Sequence, residues 1–167
     1  MSVSRSLARL PKKLPETAEV NLSFSTKHSQ RKPVNATSFT ITKTTKDKVP
    51  SLPFLLLKEK VLGKSYDLSL VIAGDQRART LNERYRHKSY VPNVLSFTLD
   101  SHHGEIFLNV KQARRAHASR EESYEYFVAL LFIHGMLHLK GMAHGSTMER
   151  QEQKLLSTFN IKNTFRS

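Results

Sequence analysis

The stretch from Tyr124 to Leu139, YEYFVALLFIHGMLHL, constrains this chain more than any other. It is the longest apolar run in the sequence, interrupted by Glu125, His134 and His138. A bilayer takes about 20 predominantly apolar residues. The run is too short and too polar for that role and reads as a buried helix. The spacing predicts a helix that opens at a capping box, Ser119 with Glu122, and runs to about Lys140. Gly141 then supplies a left-handed stop.

The other segments supply partners for such a helix. Phe39 and Ile41 alternate with polar residues, which predicts a short strand from Thr37 to Thr42. Ser51 is expected to cap a helix that tolerates Pro53 in its first turn and ends at Gly63. Tyr66 to Ala73 reads as a strand, with Leu68, Leu70 and Ile72 on one face and Ser69 and Val71 on the other. Gly74-Asp75 turns the chain, and Asp75 is expected to cap a helix carrying Ala78, Leu81 and Tyr85 on one face. Val94 to Leu99 and Glu105 to Val110 flank the turn-rich "DSHHG" and read as a hairpin. Ser146 with Glu149 makes a second capping box for a final helix. The mixed order of elements predicts an α+β or α/β layer, a small sheet with helices packed on it.

Three of the eight histidines fall within "HGMLHLKGMAH", residues 134 to 144. His134 and His138 are four apart on the predicted helix, so they share a face one turn apart. Beyond Gly141, three residues can bring His144 back toward the helix end. Three neutral imidazoles with an open position form the usual catalytic zinc arrangement. Nitrogen-only sites also accept nickel, cobalt or iron. Zinc proteases place a glutamate base directly after the first histidine, whereas this chain has Gly135 there. Glycine costs a helix up to about 1 kcal/mol relative to alanine. A tight contact with the sheet, or open space beside a metal, would account for it.

The chain has no cysteine, which excludes disulfides and cysteine-ligated zinc and accords with a reducing cytoplasm. Its N-terminal region has basic residues but no following apolar core of a secretory signal. The formal net charge is +13. Residues 1–36 hold seven Lys/Arg against two Asp/Glu, show no sustained periodicity and are expected to form a basic, mostly disordered arm. A basic surface of this size favours nucleic acid, although excess lysine also serves solubility alone.

With those residues in view, "HGMLHLKGMAH" resembles the H-G-x-L-H-L-x-G-x-D-H motif of the YbeY family of bacterial rRNA maturation endoribonucleases. "LNERYRHKSYVPNVLSF", Leu81 to Phe97, resembles that family's L-N-x-x-Y-R-x-K-D-x-P-T-[DN]-V-L-S-F segment, and "GEIFLN" its G-[DE]-I strand. The resemblance covers residues 37–167 and leaves 1–36 outside. It implies one α+β domain with a small mixed four-stranded sheet and about five helices packed on it, a metal-dependent hydrolase fold. It further implies one Zn2+ per chain on His134, His138 and His144. The implied activity is cleavage of single-stranded RNA in 16S rRNA 3′-end maturation and ribosome quality control. The implied setting is the cytoplasm, with no membrane. The implied partners are rRNA and the small ribosomal subunit, with ribosomal proteins or a ribosome-associated GTPase beside them. Arg86 matches the family's active-site arginine; without the resemblance it reads as one residue of the charge run "ERYRHK".

This chain departs from the family pattern at three places. Ala143 replaces the aspartate before the third histidine, Ser89 replaces an aspartate, and Pro92 sits one position late. Ligand histidines need an acceptor on their second nitrogen. With Ala143 in place, that acceptor is expected to be a backbone carbonyl, Glu105 or Glu149. Lys88, Lys111, Arg114 and Arg115 read either as an RNA path or as ordinary solvated surface. Two other classes share these features: a metalloprotease-like hydrolase, and a non-catalytic, metal-stabilised RNA-binding module.

Overall fold

The computed structural model describes residues 39–164, so the expected arm lies outside the described residues. The described residues form β1 (Phe39–Lys43), α1 (Phe54–Leu62), β2 (Asp67–Ile72), α2 (Asp75–Arg86), β3 (Val94–Thr98), β4 (His103–Leu108), α3 (Val110–His117), α4 (Tyr124–Leu139) and α5 (Ser146–Thr158). The sheet runs β1-β2-β4-β3; β1, β2 and β4 are parallel and β3 is antiparallel to β4. This is the expected α+β domain, one mixed four-stranded sheet with five helices.

Alternation in the strands divides the core between the two faces of the sheet. Leu68, Leu70, Ile72, Val94, Ile106 and Leu108 face the main core, which α4 fills from Phe127 to Leu139. Val71, Ala73, Leu95, Phe97 and Phe107 form a smaller cluster on the other face, covered by Leu81 and Tyr85 of α2. β3 and β4 form the expected hairpin, pairing Val94 with Leu108 and Thr98 with Gly104, but β4 starts at His103 and ends at Leu108, so Gly104 lies in the strand rather than the loop and Val110 opens α3. Among the described residues no helix is long and apolar enough to cross a membrane.

Several helix starts differ from expectation. Pro53, not Ser51, occupies the cap of α1. A residue before proline avoids helical backbone, so Leu52 cannot join a helix begun at Ser51. Gly74 caps α2, and Asp75 is its first helical residue. The Asp75 carboxylate accepts instead from Asn109 Nδ2 at 2.9 Å and Arg115 Nη2 at 2.7 Å. Those bonds hold its carboxyl below the usual range, the Arg115 contact contributing most. The predicted box at Ser119 and Glu122 does not form, because α3 occupies the preceding residues and Glu122 pairs with Arg120. Ser123 caps α4, its hydroxyl accepting from Tyr126 N at 3.3 Å. Gly145, not Ser146, caps α5. The stop at Gly141 forms as predicted, with φ +81°.

Gly135 is explained by packing. A Cβ built on it would stand 2.9 Å from Ser96 Oγ, 3.2 Å from Ile106 Cδ1 and 3.4 Å from Val94 Cγ2. The glycine lets α4 lie close against β3 and β4. Gly135→Ala is therefore expected to lower stability by about 1 kcal/mol: overpacking costs about 1–3 kcal/mol, and better helix propensity returns up to about 1. Adding Ser96→Ala should recover most of that loss. Thermal melts of the double-mutant cycle check it; an additive cycle would place the strain elsewhere.

Candidate metal centre

Two elements and one turn build the site. α4 carries His134, which is buried, and His138, half-buried one turn later. Gly141 reverses the chain, and the short segment to Gly145 returns His144 beside them. The ring centroids lie 4.4, 5.0 and 4.6 Å apart, and one ring nitrogen from each residue falls within 4.8 Å of the others. The structure thus brings together all three predicted histidines.

The second nitrogens decide what the first ones present. His138 Nδ1 donates to the Met142 carbonyl at 3.0 Å. A carbonyl can only accept, so Nδ1 carries a proton, and in the neutral ring Nε2 then holds the lone pair. His134 Nδ1 lies 2.6 Å from Glu152 Oε1, and Glu152 is itself buried on α5. Burial, reinforced by nearby His144, pushes His134 down to about 3. Its ring is therefore neutral near pH 7, and the contact is an N–H···carboxyl hydrogen bond rather than an ion pair. Burial also pushes Glu152 up to about 7, against the opposing pull of His144. A cation among the imidazoles would favour the ionised carboxylate. The two Nε2 atoms meet at 2.8 Å. Neutral imidazoles with their Nδ1 atoms already engaged and their lone pairs converging are the donor set a divalent metal takes.

The acceptors differ in part from expectation. A backbone carbonyl does serve His138, but the carboxylate is Glu152. Glu149 is exposed. Glu105 shares the β4 face of Phe107, on the α2 side of the sheet, where burial raises its pKa and Arg77 opposes the rise. The signal for a buried Glu152 is its place in the stripe Met148, Leu155, Leu156 of α5, but that spacing does not say which residue it meets. Exposed Ala143 has no part in holding His134 or His138.

Arg86 belongs to a separate group. It ends α2, and its Nη1 donates to Asn82 Oδ1 at 3.0 Å and Tyr90 Oη at 3.1 Å. Asn82 is fully buried, and its Nδ2 donates to the Tyr90 carbonyl at 2.9 Å. Burial lowers the Arg86 pKa, but a guanidinium keeps its charge.

A family profile described as Endoribonuclease YbeY matches residues 28–160, starting inside the segment assigned to the arm. A Helicobacter pylori protein named Endoribonuclease YbeY is 36% identical over 117 residues, covering 65% of this chain and 84% of its own length. An Aromatoleum aromaticum protein of the same name is 35% identical over 95 residues, covering 55% of this chain. This chain spans 62% of the length of that relative. A solution structure from Thermotoga maritima shares the fold, with a TM-score of 0.52 at 19% identity over 74% of this chain and 92% of its own.

Glu152 is expected to support metal affinity without contacting the metal. Glu152→Ala should weaken zinc binding about 10- to 100-fold, the usual loss for such a partner. Competition against a chromophoric chelator measures it. Affinity equal to wild type would show that the His134 ring needs no carboxylate.

Proposed function

Because the chain belongs to the endoribonuclease YbeY family, we propose that it is a zinc-dependent endoribonuclease that cuts single-stranded RNA, with His134, His138 and His144 holding one zinc. The observation that carries this reading is the convergence of the three imidazoles, two of them fixed through Nδ1. Zinc suits a set of neutral nitrogen donors with an open position. Gly135 disfavours a protease of the usual kind, since the place of its base is taken by helix–sheet contact.

When bound, the metal supplies Lewis acidity, which stabilises charge on a phosphoryl oxygen and acidifies water beside it. The chain's own residues supply orientation and complementary charge. Glu152 and the Met142 carbonyl hold the Nδ1 protons and so fix two rings. Arg86 brings a planar guanidinium, whose fork matches phosphate oxygens, and Asn82 and Tyr90 set its direction. The net charge of +13 draws polyanions toward the surface. Residues 1–36 act in this reading as a basic arm on the domain at 37–167, adding phosphate contacts without sequence preference. The natural substrate is the 3′ end of 16S rRNA on the small subunit, in the cytoplasm, where cleavage also serves ribosome quality control. Ribosomal proteins or a ribosome-associated GTPase are the partners this role calls for.

The purified chain should cut a single-stranded RNA, stop after chelation and resume when zinc returns. Arg86→Lys should lower the rate about 10- to 100-fold, because it keeps the charge and loses the fork. Its zinc content and melting temperature should match wild type. Wild-type turnover by Arg86→Lys would remove Arg86 from the mechanism. Chelator-sensitive cleavage of peptides instead of RNA would overturn the reading.

A further inference from the structure

Among the described residues Tyr90 is the one exposed large aromatic side chain, with 41% of its surface accessible. The residue is nonetheless held at its backbone and at its phenol oxygen. The backbone carbonyl accepts from buried Asn82, and the phenol oxygen accepts from Arg86. Asn82 also accepts from the same guanidinium nitrogen, so the three residues close a triangle. A tyrosine serving only to fill space would turn inward, as Tyr85 does against Phe97 at 5.1 Å. Tyr90 is instead presented to solvent in a fixed direction.

Its position relates it to the metal centre. Val94 follows Tyr90 by four chain steps, so their Cα atoms lie at most about 14 Å apart. Val94 packs at Gly135, the neighbour of His134. Exposed Lys88 and His87 precede Tyr90 on the same connection. An aromatic face beside the Arg86 guanidinium and Lys88, on the connection into a strand that packs against the histidine-bearing helix, has the composition of a single-strand subsite: the ring takes a base and the cations take phosphates.

We propose that Tyr90 is a base-stacking platform for single-stranded RNA, with Asn82 and Arg86 holding its ring in the receiving orientation. The proposal rests on the RNA reading above. It also gives that reading a physical source of strand preference. Bases in a duplex are already stacked on one another and cannot open onto a side chain, whereas single-stranded bases can.

The test is equilibrium binding of a fluorescent single-stranded 2′-O-methyl RNA to the full-length holoprotein. The variants are Tyr90→Ala, Tyr90→Leu, Tyr90→Phe and Tyr90→Trp, each checked for zinc content and melting temperature. Removing a stacking ring should weaken single-strand binding about 5- to 150-fold in the alanine and leucine variants. Phenylalanine and tryptophan keep a π-face but lose the Arg86 contact, so they should bind more weakly than wild type and at least about threefold more tightly than Tyr90→Leu. Binding of the matching duplex should be unchanged throughout. Wild-type affinity in Tyr90→Leu would overturn the proposal. So would a loss in Tyr90→Phe as large as in Tyr90→Leu, which would assign the effect to the hydroxyl rather than the ring. Should Tyr90→Ala fail to fold, the other three variants decide the matter. Wild-type protein that binds no RNA would overturn the RNA reading itself, and this proposal with it.

Discussion

A helix as apolar as α4 has to be enclosed, yet it carries two imidazoles into the enclosure. Leaving an imidazole nitrogen buried without a partner costs about 1–3 kcal/mol. The structure meets this in two ways. One ring is given a carboxyl from α5, and the other a carbonyl from the turn after Gly141. Both contacts use Nδ1. Both leave Nε2 facing the same point, where His144 arrives. Enclosing the helix and building the donor set are therefore one problem with one solution. α5 and the turn are as necessary to the site as the histidines themselves.

The sheet makes the enclosure possible. β3 and β4 come near enough to α4 that a Cβ at position 135 would crowd Ser96 and Ile106. The opposite face carries its own small core under α2, which ends at Arg86. The imidazoles and the guanidinium thus start from opposite faces. The connection from His87 to Asn93, leading into edge strand β3, joins them. Tyr90 lies on that connection, hydrogen-bonded to Arg86.

Much of this was legible in the sequence, for reasons of period. The apolar run of α4, the four-residue spacing of His134 and His138, the stop at Gly141 and the alternation in β2 are local patterns that tertiary contacts reinforce. What was not legible depends on distant partners. Asp75 looks like a cap, but its carboxylate goes to Arg115, forty residues away. Ser119 with Glu122 has the spacing of a capping box, but α3 takes the preceding residues. That helix buries only Val110 and Ala113, too few to show a helical period. Glu152 is eighteen residues from His134, and nothing local ties the two. Lys58 is fully buried in α1, which composition would not suggest. Its Nζ donates to the Lys64 carbonyl at 3.1 Å.

In the proposed site His134, His138 and His144 together bind one metal. X-ray absorption at the zinc edge of the purified chain reads the ligand shell. Nitrogen neighbours from three histidines are expected at about 2.0–2.1 Å, with one fewer imidazole in His144→Ala. A wild-type spectrum unchanged by His144→Ala, or a shell dominated by carboxylate oxygens, would contradict that ligand set.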